Sequence, residues 1–91
     1  MSENLEKMAS DRFDYWAISS DGSKVVGCRH TDEYAVILTI PAMEEMARIN
    51  GQYERFAWFS KDTKIMATDF RVTNVYDGTT GKYLYYVEAT Y

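Results

Sequence analysis

The chain has 91 residues, of which 46% are hydrophobic and 26% charged. That is the length of one domain with one core and the balance of an ordinary soluble globule, so a disordered tail and a low-complexity chain are excluded. Fourteen acids against ten bases give a net charge of −4, and the single cysteine leaves no internal disulfide framework.

The charge is unevenly spread. Residues 1–50 carry nine acids and five bases, whereas residues 51–91 carry five of each. Affinity for a phosphate backbone comes from Lys and Arg displacing counterions, and no basic stripe is present, so direct nucleic-acid binding is not expected. The longest apolar run, Tyr34 to Ile40, falls far short of the roughly 20 residues of a membrane helix. No basic segment followed by an apolar one opens the chain. With a lone Cys28, the expected compartment is a reducing cytoplasm, the host's if the chain is viral.

Residues 2–10 read as a short helix or a frayed tip, with Leu5 and Met8 on one side. Residues 13–28 read as a hairpin in which Asp21-Gly22 supplies a type I′ turn. Pairing Ser20 with Ser23 then sets Ile18 opposite Val25 and Trp16 opposite Gly27, an aromatic ring over a facing glycine. Residues 33–40 are β-branched and almost continuously apolar, as in a central strand.

Pro41 then suggests the first turn of a helix over 41–50. Glu44 and Glu45 lie near its start, Arg48 near its end, and Met43, Met46, Ala47 and Ile49 on one arc. Residues 53–59 and 64–76 read as two strands joined at Ser60-Lys61-Asp62-Thr63. In the second, Phe70, Val72 and Tyr76 alternate with Asp69, Arg71 and Thr73. Asp77 to Gly81 turns the chain, and Lys82 to Thr90 forms the last strand. On it Tyr83, Tyr85, Val87, Ala89 and Tyr91 share one face, and Leu84, Tyr86, Glu88 and Thr90 the other. The expected fold is α+β: one domain over 1–91, a curved antiparallel sheet of about five or six strands, with the 41–50 helix on one face.

Three segments resemble pieces of a WD-repeat propeller blade. Val75-Tyr76-Asp77-Gly78-Thr79-Thr80-Gly81-Lys82-Tyr83-Leu84 resembles the end of a blade. Trp16 to Lys24 is similar to its Ser-x-Asp-Gly-Lys hairpin, and Ala57 to Lys64 repeats that pattern with one residue fewer. The resemblance departs from the family in three ways. The stretch between Thr68 and Val75 is short for a blade's middle turn, a helix interrupts the repeat, and the length suits about two blades of the four to eight in a closed ring. Shared hairpin chemistry is the simpler reading of it.

Cys28, His30 and Asp32 alternate and would share one face of an extended strand. They are three metal-ligand types, whereas a structural zinc site takes four, and a core thiol beside a surface imidazole is the expected reading. Glu44 and Glu45 diverge on a helix, and nothing marks Asp11 and Asp14 as an acid–base pair. No glycine cluster cradles a phosphate. Lys82 to Val87 invites comparison with the aromatic strand of RNA-recognition sheets, but Tyr83 and Tyr85 occupy its glycine positions. No catalytic, cofactor or metal residue is assigned.

Eight Tyr, four Phe and two Trp exceed what one small core must enclose. Tyr buries a ring while keeping its hydroxyl wet, which suits interfaces. The expected contact residues are Asp11, Asp14, Asp32, Glu33, Tyr83, Tyr85 and Tyr86. The expected function is a non-enzymatic protein-binding module. One such module would be a small phage-type inhibitor (anti-CRISPR- or anti-restriction-like) that blocks a basic, nucleic-acid-binding host enzyme or complex through an acidic, Tyr-rich surface, a reading taken from what small viral proteins often do and not from the residues. The alternatives are a small ligand-binding or enzymatic barrel-like domain and a homo-oligomeric structural subunit such as a homodimer.

Overall fold

The structure, a computed structural model, describes residues 3–69 and 72–88. Helix α1 (Glu3–Arg12) precedes the strands β1 (Tyr15–Ile18), β2 (Lys24–Cys28), β3 (Tyr34–Thr39), β4 (Glu45–Asn50), β5 (Arg55–Trp58), β6 (Lys64–Thr68), β7 (Val72–Asp77) and β8 (Tyr83–Glu88). They form two four-stranded antiparallel sheets, each ordered as it runs in the chain, β1-β2-β3-β4 and β5-β6-β7-β8. The expected single sheet of five or six strands with a helix on one face is therefore wrong.

Two segments account for the difference. Residues 45–50 form strand β4 and not part of a helix. Ala47 and Ile49 turn toward the core while Arg48 and Asn50 stay exposed, a period of two that the methionine spacing obscured. Met43 belongs to the preceding turn, at φ 58°, and Met46 is exposed. Residues 64–76 form two strands rather than one. The Asp69 carboxylate accepts the Val72 N–H while the Asp69 N–H donates to the Val72 carbonyl, which ties the end of β6 to the start of β7. Phe70 and Arg71, and Ala89 to Tyr91 of the expected last strand, lie outside the described residues.

The first hairpin keeps the expected register, with Trp16 opposite Gly27 and Ile18 opposite Val25. Its turn is different. Only Gly22 has a positive φ, and its N–H donates to the Ser19 carbonyl, so a longer loop replaces the type I′ pair.

The two sheets repeat one another in the bonds of their first and third turns. Ser19 N–H donates to Lys24 and Gly22 N–H to Ser19. In the second sheet Phe59 N–H donates to Lys64 and Asp62 N–H to Phe59. After β3, Thr39 N–H donates to Glu44 and Met43 N–H to Thr39; after β7, Asp77 N–H donates to Lys82 and Gly81 N–H to Asp77. Each sheet has its bulge at the same place, between Ile37 and Leu38 and between Val75 and Tyr76. Two of the three departures from the propeller-blade pattern thus fall away, because 41–50 holds no helix and a three-residue link suffices before β7. The third stands, since the described residues form two sheets.

The sheets stack face to face, with β1 against β5. Val26, Ala35, Ile37 and Ile49 of the first pack against Ile65, Ala67 and Tyr76 of the second. Full burial of such aliphatic side chains stabilises by roughly 1.5–3 kcal/mol each. Two polar links fix the stacking. The Trp58 indole N–H donates to the Ala17 carbonyl at 2.9 Å. The Asp62 carboxylate accepts the Ser20 N–H at 2.9 Å, the Ser20 hydroxyl at 2.8 Å and the Asp21 N–H at 3.3 Å. The other face of the first sheet is covered by α1, where Ala9 and Phe13 pack on Val25 and Leu38. The ring that lies on Gly27 is that of Phe13, not Trp16 as expected.

Candidate functional site

Strand β8 is the last strand of the second sheet, so only β7 pairs with it among the described residues. The sequence Tyr83-Leu84-Tyr85-Tyr86-Val87 is exposed throughout, from 39% at Leu84 to 62% at Tyr86. Five large apolar side chains in a row, exposed on both faces of an edge strand, form a surface that natural sheets normally avoid.

The bulge at Val75/Tyr76 sets which way each ring points. Tyr85 pairs with Val75 and lies on the outer face, where the Lys64 amine stands 5.6 Å from its ring centroid. Tyr83 pairs with Tyr76 on the inner side, its ring edge-on at 5.7 Å between centroids. Tyr86 pairs with Asn74 on that same inner side. The bulge therefore separates Tyr83 from Tyr85, which simple alternation had placed together.

Beneath these rings is a buried polar cluster. The Tyr53 and Tyr76 hydroxyls hydrogen-bond to each other, and the Asn74 amide donates to the Tyr53 oxygen at 3.0 Å. Burial, first of all, pushes the Tyr76 phenol well above its ordinary range. The cluster is internally satisfied and supports the inner side of β7.

Of the expected contact residues, the structure groups the tyrosines and leaves the acids elsewhere. Tyr83, Tyr85 and Tyr86 share β8. Asp11 is on α1, Asp14 between α1 and β1, and Asp32 and Glu33 in the β2–β3 loop, all in the first half of the molecule. Asp14 accepts the His30 N–H at 2.8 Å and lies 2.7 Å from the His30 ring nitrogen Nδ1. Both contacts hold its carboxyl below the usual range, the bond from the His30 amide foremost. Asp32 accepts the Arg29 N–H at 3.0 Å. Asp14 and Asp32 stabilise the β2–β3 loop, and the four acids are not placed with the tyrosines in one patch.

Leu84 and Val87 belong with the tyrosines and were not among the expected contacts. Their signal was in the sequence, because an edge strand with no charge between Lys82 and Glu88 offers both faces to a neighbour. The other outer edge differs. On β4 the Arg48 guanidinium bonds Glu45 at 3.0 Å and stands 4.4 Å from the Tyr34 ring centroid, which covers that edge with charge.

The candidate ligands Cys28, His30 and Asp32 do not converge. Cys28 is buried between the sheets, its Sγ 3.5 Å from the Tyr53 carbonyl, and burial, first of all, raises its thiol above the ordinary range. His30 is largely exposed and turned to Asp14. A groove of about 350 Å³ beside them is lined by Tyr15, Arg29, His30, Tyr53, Glu54 and Asp69. His30 lines it with its ring held by Asp14, whereas Cys28 does not line it.

Among the described residues, no helix is long and apolar enough to cross a membrane. Comparison with protein-family models, with curated proteins and with solved structures finds no match for this chain.

Proposed function

We propose that this chain is a non-enzymatic protein-binding module whose contact surface is β8 and the outer face of the sheet it ends. The observation that carries the reading is the unbroken exposure of Tyr83 to Val87 on an edge strand. Tyr combines contact area with a polar tip and loses little side-chain freedom, which makes it an efficient interface residue. The surface lies in the half of the chain with balanced charge, so association depends on apolar contact more than on the acids of residues 1–50.

A basic host enzyme, blocked as by a small viral inhibitor, is one partner class compatible with the acidic first half. The tyrosine surface does not require it.

The test is capture of a partner by the full chain, repeated with Tyr85→Lys/Val87→Lys and with Asp11→Asn/Glu33→Gln. Saturable binding that the lysine variant loses and the acid variant keeps supports the reading. Binding lost only in the acid variant moves the contact surface to the first half and contradicts it.

A further inference from the structure

The repeat makes the two sheets comparable position by position. The first sheet receives the second on a face formed by Ala17, Val26, Ile37, Ala47 and Ile49. The equivalent positions in the second sheet are Ala57, Met66, Val75, Tyr85 and Val87, and they form its outer face. Ala47 and Ile49 are sheltered by the second sheet, whereas Tyr85 and Val87 are 41% and 53% exposed. The stacking is thus head to tail, and its receiving face recurs on the second sheet with Ala57, Tyr85 and Val87 exposed, Met66 half-buried and Val75 buried.

The polar anchors recur as well. The first receiving face offers the Ala17 carbonyl to an indole, and the Ser20 N–H, Ser20 hydroxyl and Asp21 N–H to a carboxylate. In the second sheet these positions are Ala57, Ser60 and Lys61, and all three residues are exposed. Among the described residues, no side chain bonds the Ser60 or Lys61 groups. The charge is more favourable at the second turn. Asp21 opposes the Asp62 carboxylate electrostatically, whereas Lys61, in the place of Asp21, would attract one.

A second copy of this chain does not supply the matching surface. The face it would present carries Ile18 where the second sheet has Trp58 and Gly22 where it has Asp62, and α1 already covers it.

Resting on the protein-binding reading, we infer that the outer face of the second sheet receives a four-stranded antiparallel sheet from a partner protein. Its first strand brings a ring N–H to the Ala57 carbonyl, and its first hairpin turn brings a carboxylate to Ser60 and Lys61. The partner continues the stack with the contacts that already join the two sheets.

The probe is the chain's own second sheet, residues 51–88, appended to the full chain after Tyr91. The unfolding midpoint rises by roughly 5 °C or more as the third layer docks. Trp58→Ala and Asp62→Ala placed in the appended copy alone remove the gain. A partner captured by the unextended chain is no longer captured by the extended one. An appended layer that leaves the midpoint unchanged overturns the inference. So does a partner still captured by the extended chain, although that result leaves protein binding intact. Light scattering that shows the unextended chain to be a dimer, split by Tyr85→Lys/Val87→Lys, assigns the face to a second copy and also overturns it.

Discussion

The Phe13 ring lies so close over Gly27 that a Cβ added at Gly27 would stand 2.6 Å from its carbons. Phe13 is the residue that joins α1 to the first sheet, since its N–H donates to Ala9 within the helix end and its ring packs on Val25 and Leu38. Gly27→Ala must therefore displace the ring. The expected cost is about 1–3 kcal/mol, with faster amide exchange through residues 3–12. In a Phe13→Ala background the same substitution costs far less, because the colliding ring is gone. Denaturant unfolding of the four variants measures the coupling.

Trp58 reports on the joint between the sheets. Trp58→Phe keeps a ring in the core but removes the N–H that reaches the Ala17 carbonyl. It also weakens the platform for the Lys24 amine, 5.1 Å from the ring centroid. A loss of about 1 kcal/mol is expected from the missing hydrogen bond. Trp58→Ala, which opens a cavity against Ile65 and Ala17, costs about 3–5 kcal/mol. Chemical denaturation distinguishes the two.

Acid sensitivity follows from the turn carboxylates. The Ser20 N–H and hydroxyl hold Asp62 below the usual carboxylate range. The Ser23 hydroxyl and N–H, with the Ser19 hydroxyl, lower Asp21 to about 2. A carboxyl depressed in the folded state stabilises fully above its unfolded pKa, near 4, and loses that contribution as pH falls through its folded value. Stability should therefore decline as pH drops from about 4 toward 2. Asp62→Asn and Asp21→Asn should each flatten that decline while lowering stability at neutral pH. Thermal unfolding across this pH range is the measurement.

Cys28 should be slow to react. Its thiol is buried, and burial disfavours the thiolate that attacks an aromatic disulfide reagent. Labelling in the native state should follow rare opening of the stack and become complete in denaturant. Rapid labelling of the native chain would place Cys28 at the surface.

Much of the local structure was legible in the sequence. The alternation through residues 13–28 and the apolar run 33–40 gave β1 to β3, and the Trp16–Gly27 register held. The tyrosine strand was also visible, although its bulge was not, because a bulge shows only when Val75 and Tyr76 are set against their partners. The 41–50 segment misled for a physical reason. Ala47 and Ile49 satisfy a period of two and, together with Met43 and Met46, a helical arc as well, and a short run cannot separate the two patterns. Reading β4 as a helix and joining β6 to β7 hid the duplication. The WD-like hairpins at Trp16 to Lys24 and Ala57 to Lys64 lie at equivalent places in the two sheets, although shared hairpin chemistry was the simpler reading of them. Nothing in the spacing of Asp14, Asp32 and Glu33 showed that they brace a loop, since that depends on contacts to His30 and Arg29 and on the Glu33 carbonyl accepting the Gly51 N–H.

Tyrosine nitration of the native chain, read residue by residue by mass spectrometry, tests most directly whether β8 is an open contact surface. Tyr83, Tyr85 and Tyr86 should be modified early, while Tyr53 and Tyr76, each 6% exposed, stay protected until the chain unfolds. Protection of Tyr85 and Tyr86 in the free monomer, at the level of Tyr53 and Tyr76, would contradict the account.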